Sequence, residues 1–173
     1  MAASTGSTAR KGKAVEHLIA ATCILASDGR LNVMTGMVDD EGIDLAFKAT
    51  GGLRTVDIQV KVRFLSSKRL SRGEKFLSDV REATFQPRPD LYMLFTVVDG
   101  RAATFGPVRL VPSEVFEAEA SRGEAKGKGR LRFLASLKGG FGGQVDALPD
   151  EARAAGAGHP QGAEQARRPS VDP

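Results

Sequence analysis

The chain has a single cysteine, Cys23, in 173 residues, which rules out an intrachain disulfide and fits a reducing compartment. Its two histidines, His17 and His159, leave no zinc-ligand spacing. It also lacks a long apolar run: the longest, Leu91 to Val98, is far short of a membrane span. Residues 1–13 are small, polar and basic, with no apolar core of the signal-peptide kind. No helix-turn-helix, zinc-finger module or internal repeat is visible. These absences predict a soluble, cytoplasmic protein with no membrane partner.

What is present is enough for one folded domain, with 41% hydrophobic residues in a chain of this length. A net charge of +4 makes nucleic acid the first acidic partner to consider. Residues 1–9 are mainly Ala, Ser, Thr and Gly, and predict a flexible lead. Residues 147–173 hold Pro149, Pro160, Pro169 and Pro173, four of the eight prolines, and predict a disordered tail. The domain is expected over 10–146.

Between those ends the periodicity changes segment by segment. Val15, Leu18, Ile19, Thr22 and Ala26 recur at helical spacing from Arg10 to Ser27, closed by Asp28-Gly29. Leu31 to Val38 predicts a strand, and Asp39-Asp40-Glu41-Gly42 a solvated acidic turn. Ile43, Leu45 and Phe47 then alternate with Asp44, Ala46 and Lys48, and Val56, Ile58, Val60, Val62 and Phe64 alternate with Asp57, Gln59, Lys61 and Arg63. The Gly51-Gly52 connection between the two runs favours an antiparallel hairpin. Phe76, Leu77, Val80 and Thr84 predict a second helix over Glu74 to Phe85, stopped by Pro87. The apolar run Leu91 to Val98 predicts a strand buried on both faces, turned by Asp99-Gly100 into Ala102 to Phe105. Ser113 is the expected N-cap of a short helix through Ala120, and Arg130 to Leu137 an edge strand.

If the apolar faces of the hairpin share one core, Asp44, Gln59 and Lys61 converge on the other side. Glu16 lies on the first helix, on a strip with the small residues Gly12, Ala20 and Cys23, which lets that face approach other backbone closely. Mg2+ takes oxygen ligands, keeps several waters, and needs one or two protein carboxylates. Asp44, the Gln59 side-chain oxygen, the Val60 carbonyl and Glu16, the last through water, would supply that shell. Lys61 would orient an attacking water or stabilise charge developing on a phosphate. This is equipment for metal-assisted phosphodiester hydrolysis.

Lys11-Gly12-Lys13-Ala14-Val15-Glu16, Gly42-Ile43-Asp44-Leu45 and Ile58-Gln59-Val60-Lys61 together resemble the PD-(D/E)XK nuclease superfamily, whose fold is restriction endonuclease-like. The resemblance runs from about Arg10 to Val98. It implies an α/β fold with a mixed central sheet in the order αβββαβ, and catalytic residues Glu16, Asp44, Gln59 and Lys61. It departs from the family in having no Pro before Asp44 and Gln59 where Glu is commoner. The expected function is a DNA endonuclease using Mg2+, with Mn2+ as a substitute, working as a homodimer or higher homo-oligomer. The alternatives are a catalytically inactive nucleic-acid-binding protein on the same fold, or a small interaction subunit that uses its tail.

Two basic runs complete the reading. Arg63, Lys68, Arg69, Arg72 and Lys75 leave directly from the expected catalytic strand, and Lys126, Lys128 and Arg130 lie in a glycine-rich stretch. Both are expected to be mobile loops that position a DNA backbone without reading sequence.

Overall fold

The computed structural model describes residues 5–36, 42–67, 70 and 75–136. The first helix, α1 (Thr5–Ala26), begins earlier than the sequence suggests, so residues 5–9 belong to its opening turns instead of a flexible lead. Once Val15 and Ile19 dock in the core, each added turn costs only its own ordering. At the other end Asp28 and Gly29 adopt left-handed conformations, φ 53° and 71°, and the Gly29 N–H donates to Ile24 O at 2.9 Å. That is the expected stop.

Strands β1 (Leu31–Thr35), β2 (Leu45–Ala49), β3 (Thr55–Phe64), β5 (Leu91–Asp99) and β6 (Thr104–Pro112) form one sheet in the order β1-β2-β3-β5-β6. The β1-β2-β3 meander is antiparallel, β3 and β5 run parallel, and β5-β6 is an antiparallel hairpin, so the sheet is mixed. Strand β4 (Lys75–Arg81), β8 (Lys128–Ser136) and β7 (Ser121–Ala125) form a second, smaller sheet in the order β4-β8-β7. A short helix, α2 (Ser113–Glu119), joins β6 to β7. The chain is thus a mixed α/β protein. No described helix is long and apolar enough to cross a membrane.

The large sheet is covered on both faces, as the continuous apolar run of β5 predicts. Against one face, Val15, Ile19 and Ala20 of α1 pack with Leu45, Ile58, Leu94 and Val98. Against the other, Met93, Phe95 and Val97 meet Phe76 and Val80 of β4, Phe116 of α2 and Leu131 of β8. Phe116 is fully buried, with its ring centroid 5.1 Å from Phe85, 5.8 Å from Phe95 and 5.7 Å from Phe133. These contacts fasten the small sheet to the large one.

Five expectations fail here, one being that β8, expected as an edge strand, lies between β4 and β7. Glu74 to Phe85 is not a helix: from Lys75 to Arg81 it is β4, followed by a single 3-10 turn, Glu82–Thr84. Phe76, Ser78 and Val80 alternate inward, and pairing with β8 along the whole strand outweighs the helical spacing. The αβββαβ order is therefore not realised, since the crossover between the parallel strands β3 and β5 carries a strand. The stretch around Lys126 is a β7-β8 hairpin and not a mobile loop; Lys126 and Gly127, φ 55° and 70°, make its two-residue turn. Ser113 makes no cap either; its Oγ accepts from Arg88 N and donates to Arg88 O, both at 2.8 Å.

Candidate functional site

The β2-β3 hairpin pairs in the expected register, with Leu45 opposite Ile58 and Phe47 opposite Val56. Main-chain pairing stops at Leu45, one residue after Asp44. Asp44 then continues the ladder by other means: its N–H donates to Ile58 O at 3.0 Å, and its Oδ2 accepts from Val60 N at 2.6 Å. A carboxylate here stands where the next strand carbonyl would be, in a short charge-assisted bond. Because N–H and C=O of one strand residue point to the same edge, the Val60 carbonyl faces this same end of the ladder.

Gln59 is held against the chain just before Asp44. Gly42 has φ +71°, and a Cβ built on it would lie 2.5 Å from Gln59 Nε2. Glycine suits the left-handed backbone, and a side chain there would push the Gln59 amide from its place. The amide oxygen on the other side, Gln59 Oε1, is buried and accepts no hydrogen bond. Lys61 follows two residues on, partly buried and on the Gln59 face of β3.

Glu16 comes from α1, the layer on the opposite face of the sheet. Its Oε2 is ion-paired with Lys13 Nζ at 2.7 Å. Buried polar atoms are nearly always satisfied in folded proteins, so the exceptions carry information. Among the described residues Gln59 Oε1 and Ser67 Oγ are buried with no hydrogen-bond partner and no ion pair. The first belongs to the four residues that the sequence singles out.

The structure thus brings Gly42, Asp44, Gln59 and Val60 together, and places Glu16 on the other layer. No group of three His, Cys, Asp or Glu side chains gathers among the described residues. A donor set here therefore depends on the Gln59 amide and the Val60 carbonyl beside the Asp44 carboxylate, a composition suited to a hard cation such as Mg2+. The orphaned, buried Gln59 oxygen is the observation that fits such an ion.

The flanking charges are more committed than alternation alone suggests. Asp57 Oδ2 accepts from an Arg88 guanidinium nitrogen at 2.7 Å, and Arg88 also reaches Asp90 Oδ1 at 3.0 Å. Arg63 Nε donates to Leu77 O at 3.0 Å, and its guanidinium lies 5.9 Å from the Phe76 ring centroid, so it ties β3 to β4. Lys68, Arg69 and Arg72, the side chain of Lys75, the acidic turn 39–41 and the tail from 147 lie outside what is described. Lys126 and Lys128 are exposed and Arg130 is half-buried. His17 is exposed, away from the packed side of α1. Cys23 is partly buried, and that burial pushes its thiol above the ordinary range, so it packs instead of reacting.

Sequence reasoning missed Gly42 as a site residue. A glycine two residues before the acid was its only signal. Comparison of the chain with family models, with curated proteins and with solved structures finds no match in any of the three.

Proposed function

We propose that this protein is a metal-dependent DNA endonuclease on a restriction endonuclease-like core of the PD-(D/E)XK kind. The observation that carries the reading is a buried side-chain oxygen with no hydrogen-bond partner, Gln59 Oε1, on a residue picked from the sequence on chemical grounds. An antiparallel meander leading into a parallel strand pair, with Asp44 and Gln59 at the open end of the β2-β3 ladder, agrees with it.

On this reading Asp44, Gln59 Oε1 and the Val60 carbonyl would hold Mg2+, with Glu16, on the other layer, reaching it only through water. The ion, when bound, would neutralise charge on the scissile phosphate and promote ionisation of the attacking water. The chain's own residues do the rest. Asp44 is fixed by its bond from the Val60 N–H and needs no reorganisation. Gly42, lacking a Cβ, leaves room for the Gln59 amide. Lys61, on the same face, supplies an ammonium that orients the water or stabilises charge developing on the phosphate. One such site cuts one strand, so double-strand cleavage requires a homodimer or higher assembly.

A second reading has its own observation. One Asp44 oxygen is already used by Val60, and Gln59 brings no charge, which favours a silent DNA-binding protein on the same fold. Cleavage of linear, supercoiled and four-way-junction DNA with Mg2+ and Mn2+, with Lys61→Ala beside the native chain, separates the two. Metal-dependent cleavage lost in the variant supports the endonuclease. Equal cleavage by both proteins removes Lys61 from the site, and no cleavage of any substrate favours the silent protein.

A further inference from the structure

We infer that the solvent face of the small β4-β8-β7 sheet is a docking surface for the phosphate backbone of double-stranded nucleic acid. Strand alternation settles which side chains it presents. Phe76, Val80, Leu131 and Phe133 pack into the core, so Arg81, Lys128, Arg130 and Arg132 stand on the outer face. The left-handed turn adds Lys126 at one end. Asp79 is the only acid among them, and it is taken by Arg132, 3.0 Å away.

The register makes the excess charge specific. Arg81 pairs directly with Arg130, while Asp79 pairs with Arg132 two positions along. Like charges directly opposite destabilise a sheet, and opposite charges stabilise it. The same two strands therefore show a compensated pair beside an uncompensated one. Arg81, Arg130, Lys128 and Lys126 make no ion pair among the described residues, whereas Arg122, on the core side of the alternation, is held by Glu82 at 2.9 Å and Glu117 at 3.8 Å. A polyanion would relieve the Arg81/Arg130 repulsion that the fold leaves standing.

The face also indicates which polyanion. Single strands are gripped by stacking bases on aromatic rings, and no aromatic side chain points outward here. An anionic membrane surface needs apolar side chains among the charges, and the apolar pair on this face, Leu77 opposite Leu134, lies at the end remote from the Lys126-Gly127 turn. A flat row of Arg and Lys with small Ser121, Gly123 and Ala125 beside it suits a duplex backbone. The inference rests on the nucleic-acid part of the function proposed above, and not on catalysis.

The test is metal-free binding of a short duplex of arbitrary sequence by fluorescence anisotropy, across a salt series. Arg81→Gln/Arg130→Gln is compared with the native chain and with Arg101→Gln, which removes an exposed cation from the β5-β6 turn, outside both the site and this sheet. The double variant should lose about tenfold or more in affinity at moderate salt, and its log-log salt slope should fall by about two. Its melting temperature should hold or rise because a repulsion has been removed, which separates lost binding from lost folding. Arg101→Gln should retain the full salt slope. Unchanged affinity and slope in the double variant overturn the inference, as does no duplex binding by the native chain. Tighter binding to single strands or to anionic vesicles than to duplex also overturns it. Binding that depends on Arg81 and Arg130 without any cleavage removes only the endonuclease, and cleavage with binding indifferent to them removes only this surface.

Discussion

Replacing Gly42 by alanine probes the approach of the Gln59 amide, and its cost divides into two parts. A left-handed backbone costs an L-residue roughly 1–2 kcal/mol relative to glycine, and Gly42 has φ +71°. The new Cβ would also lie 2.5 Å from Gln59 Nε2 and 3.4 Å from its Cδ. The amide is the far end of a flexible side chain, so it yields by leaving its rotamer, at about 0.5–1.5 kcal/mol. Gly42→Ala alone should therefore destabilise by about 1.5–3.5 kcal/mol in denaturant unfolding. In a Gln59→Ala background only the backbone part remains. A double-mutant cycle should then return a coupling of about 0.5–1.5 kcal/mol. If Gly42→Ala is as stable as the native chain, the left-handed conformation is wrong; if the coupling is zero, the two groups do not touch. On the proposed function, displacing the amide withdraws Oε1, so activity well below the melting temperature should fall further than the stability loss explains.

Phe116→Ala should destabilise by about 3–5 kcal/mol, because its fully buried ring joins α2 to Phe85, Phe95 and Phe133; a loss under about 1 kcal/mol by thermal or chemical unfolding would contradict that packing. Gln59→Glu adds a formal charge to the proposed donor set and should tighten Mg2+ or Mn2+ binding by about tenfold or more in calorimetry; unchanged affinity would remove Gln59 from the ligands. Cys23 has its thiol raised by burial, so the folded state holds that proton more tightly than the unfolded chain. Its contribution to stability is full below the ordinary thiol value and declines as pH rises through it, and thiol modification at mildly alkaline pH should be much faster in denaturant than in the fold. Equal rates in both states would refute the burial.

The elements that the sequence makes legible are those whose pattern needs only local partners. Helix α1, the β2-β3 hairpin and β5 follow from spacing, because a stripe, an alternation or a doubly apolar run each states which side is buried. Strand β4 is different. Phe76, Leu77, Val80 and Thr84 satisfy a helical period, while Phe76, Ser78 and Val80 satisfy a strand. The choice is made by β8, whose Arg132 meets Asp79 across a sequence separation of 53 residues. Once β4 is read as a helix, the bond from Arg63 to Leu77 O cannot be foreseen. The same long-range blindness hides the Asp57-Arg88 pair, 31 residues apart. Gln59 and Lys61 were legible because two-residue spacing in a strand fixes a face whatever lies opposite. Gly42 was not, because its role depends on a side chain seventeen positions later.

The charges of the proposed site explain how its two kinds of ligand would depend on each other. Asp44 carries one negative charge, Lys61 one positive, and Gln59 none, where a second carboxylate is the commoner choice in the family it resembles. A divalent cation would enter a set whose three side chains near β3 sum to zero, with Glu16 already drawn to Lys13. Such a set holds Mg2+ weakly by itself. A DNA phosphate supplies the missing negative charge, and Mg2+ is commonly bound through one or two carboxylates together with substrate phosphates. Cation and DNA affinities are then coupled, each raised by the other by the same factor. On the proposed function the fold would divide the work accordingly: a basic outer sheet would bring in the backbone by charge alone, and the β2-β3 site would acquire its cation as the phosphate arrives. An amide at position 59 is consistent with a site assembled by its substrate, not preloaded with metal.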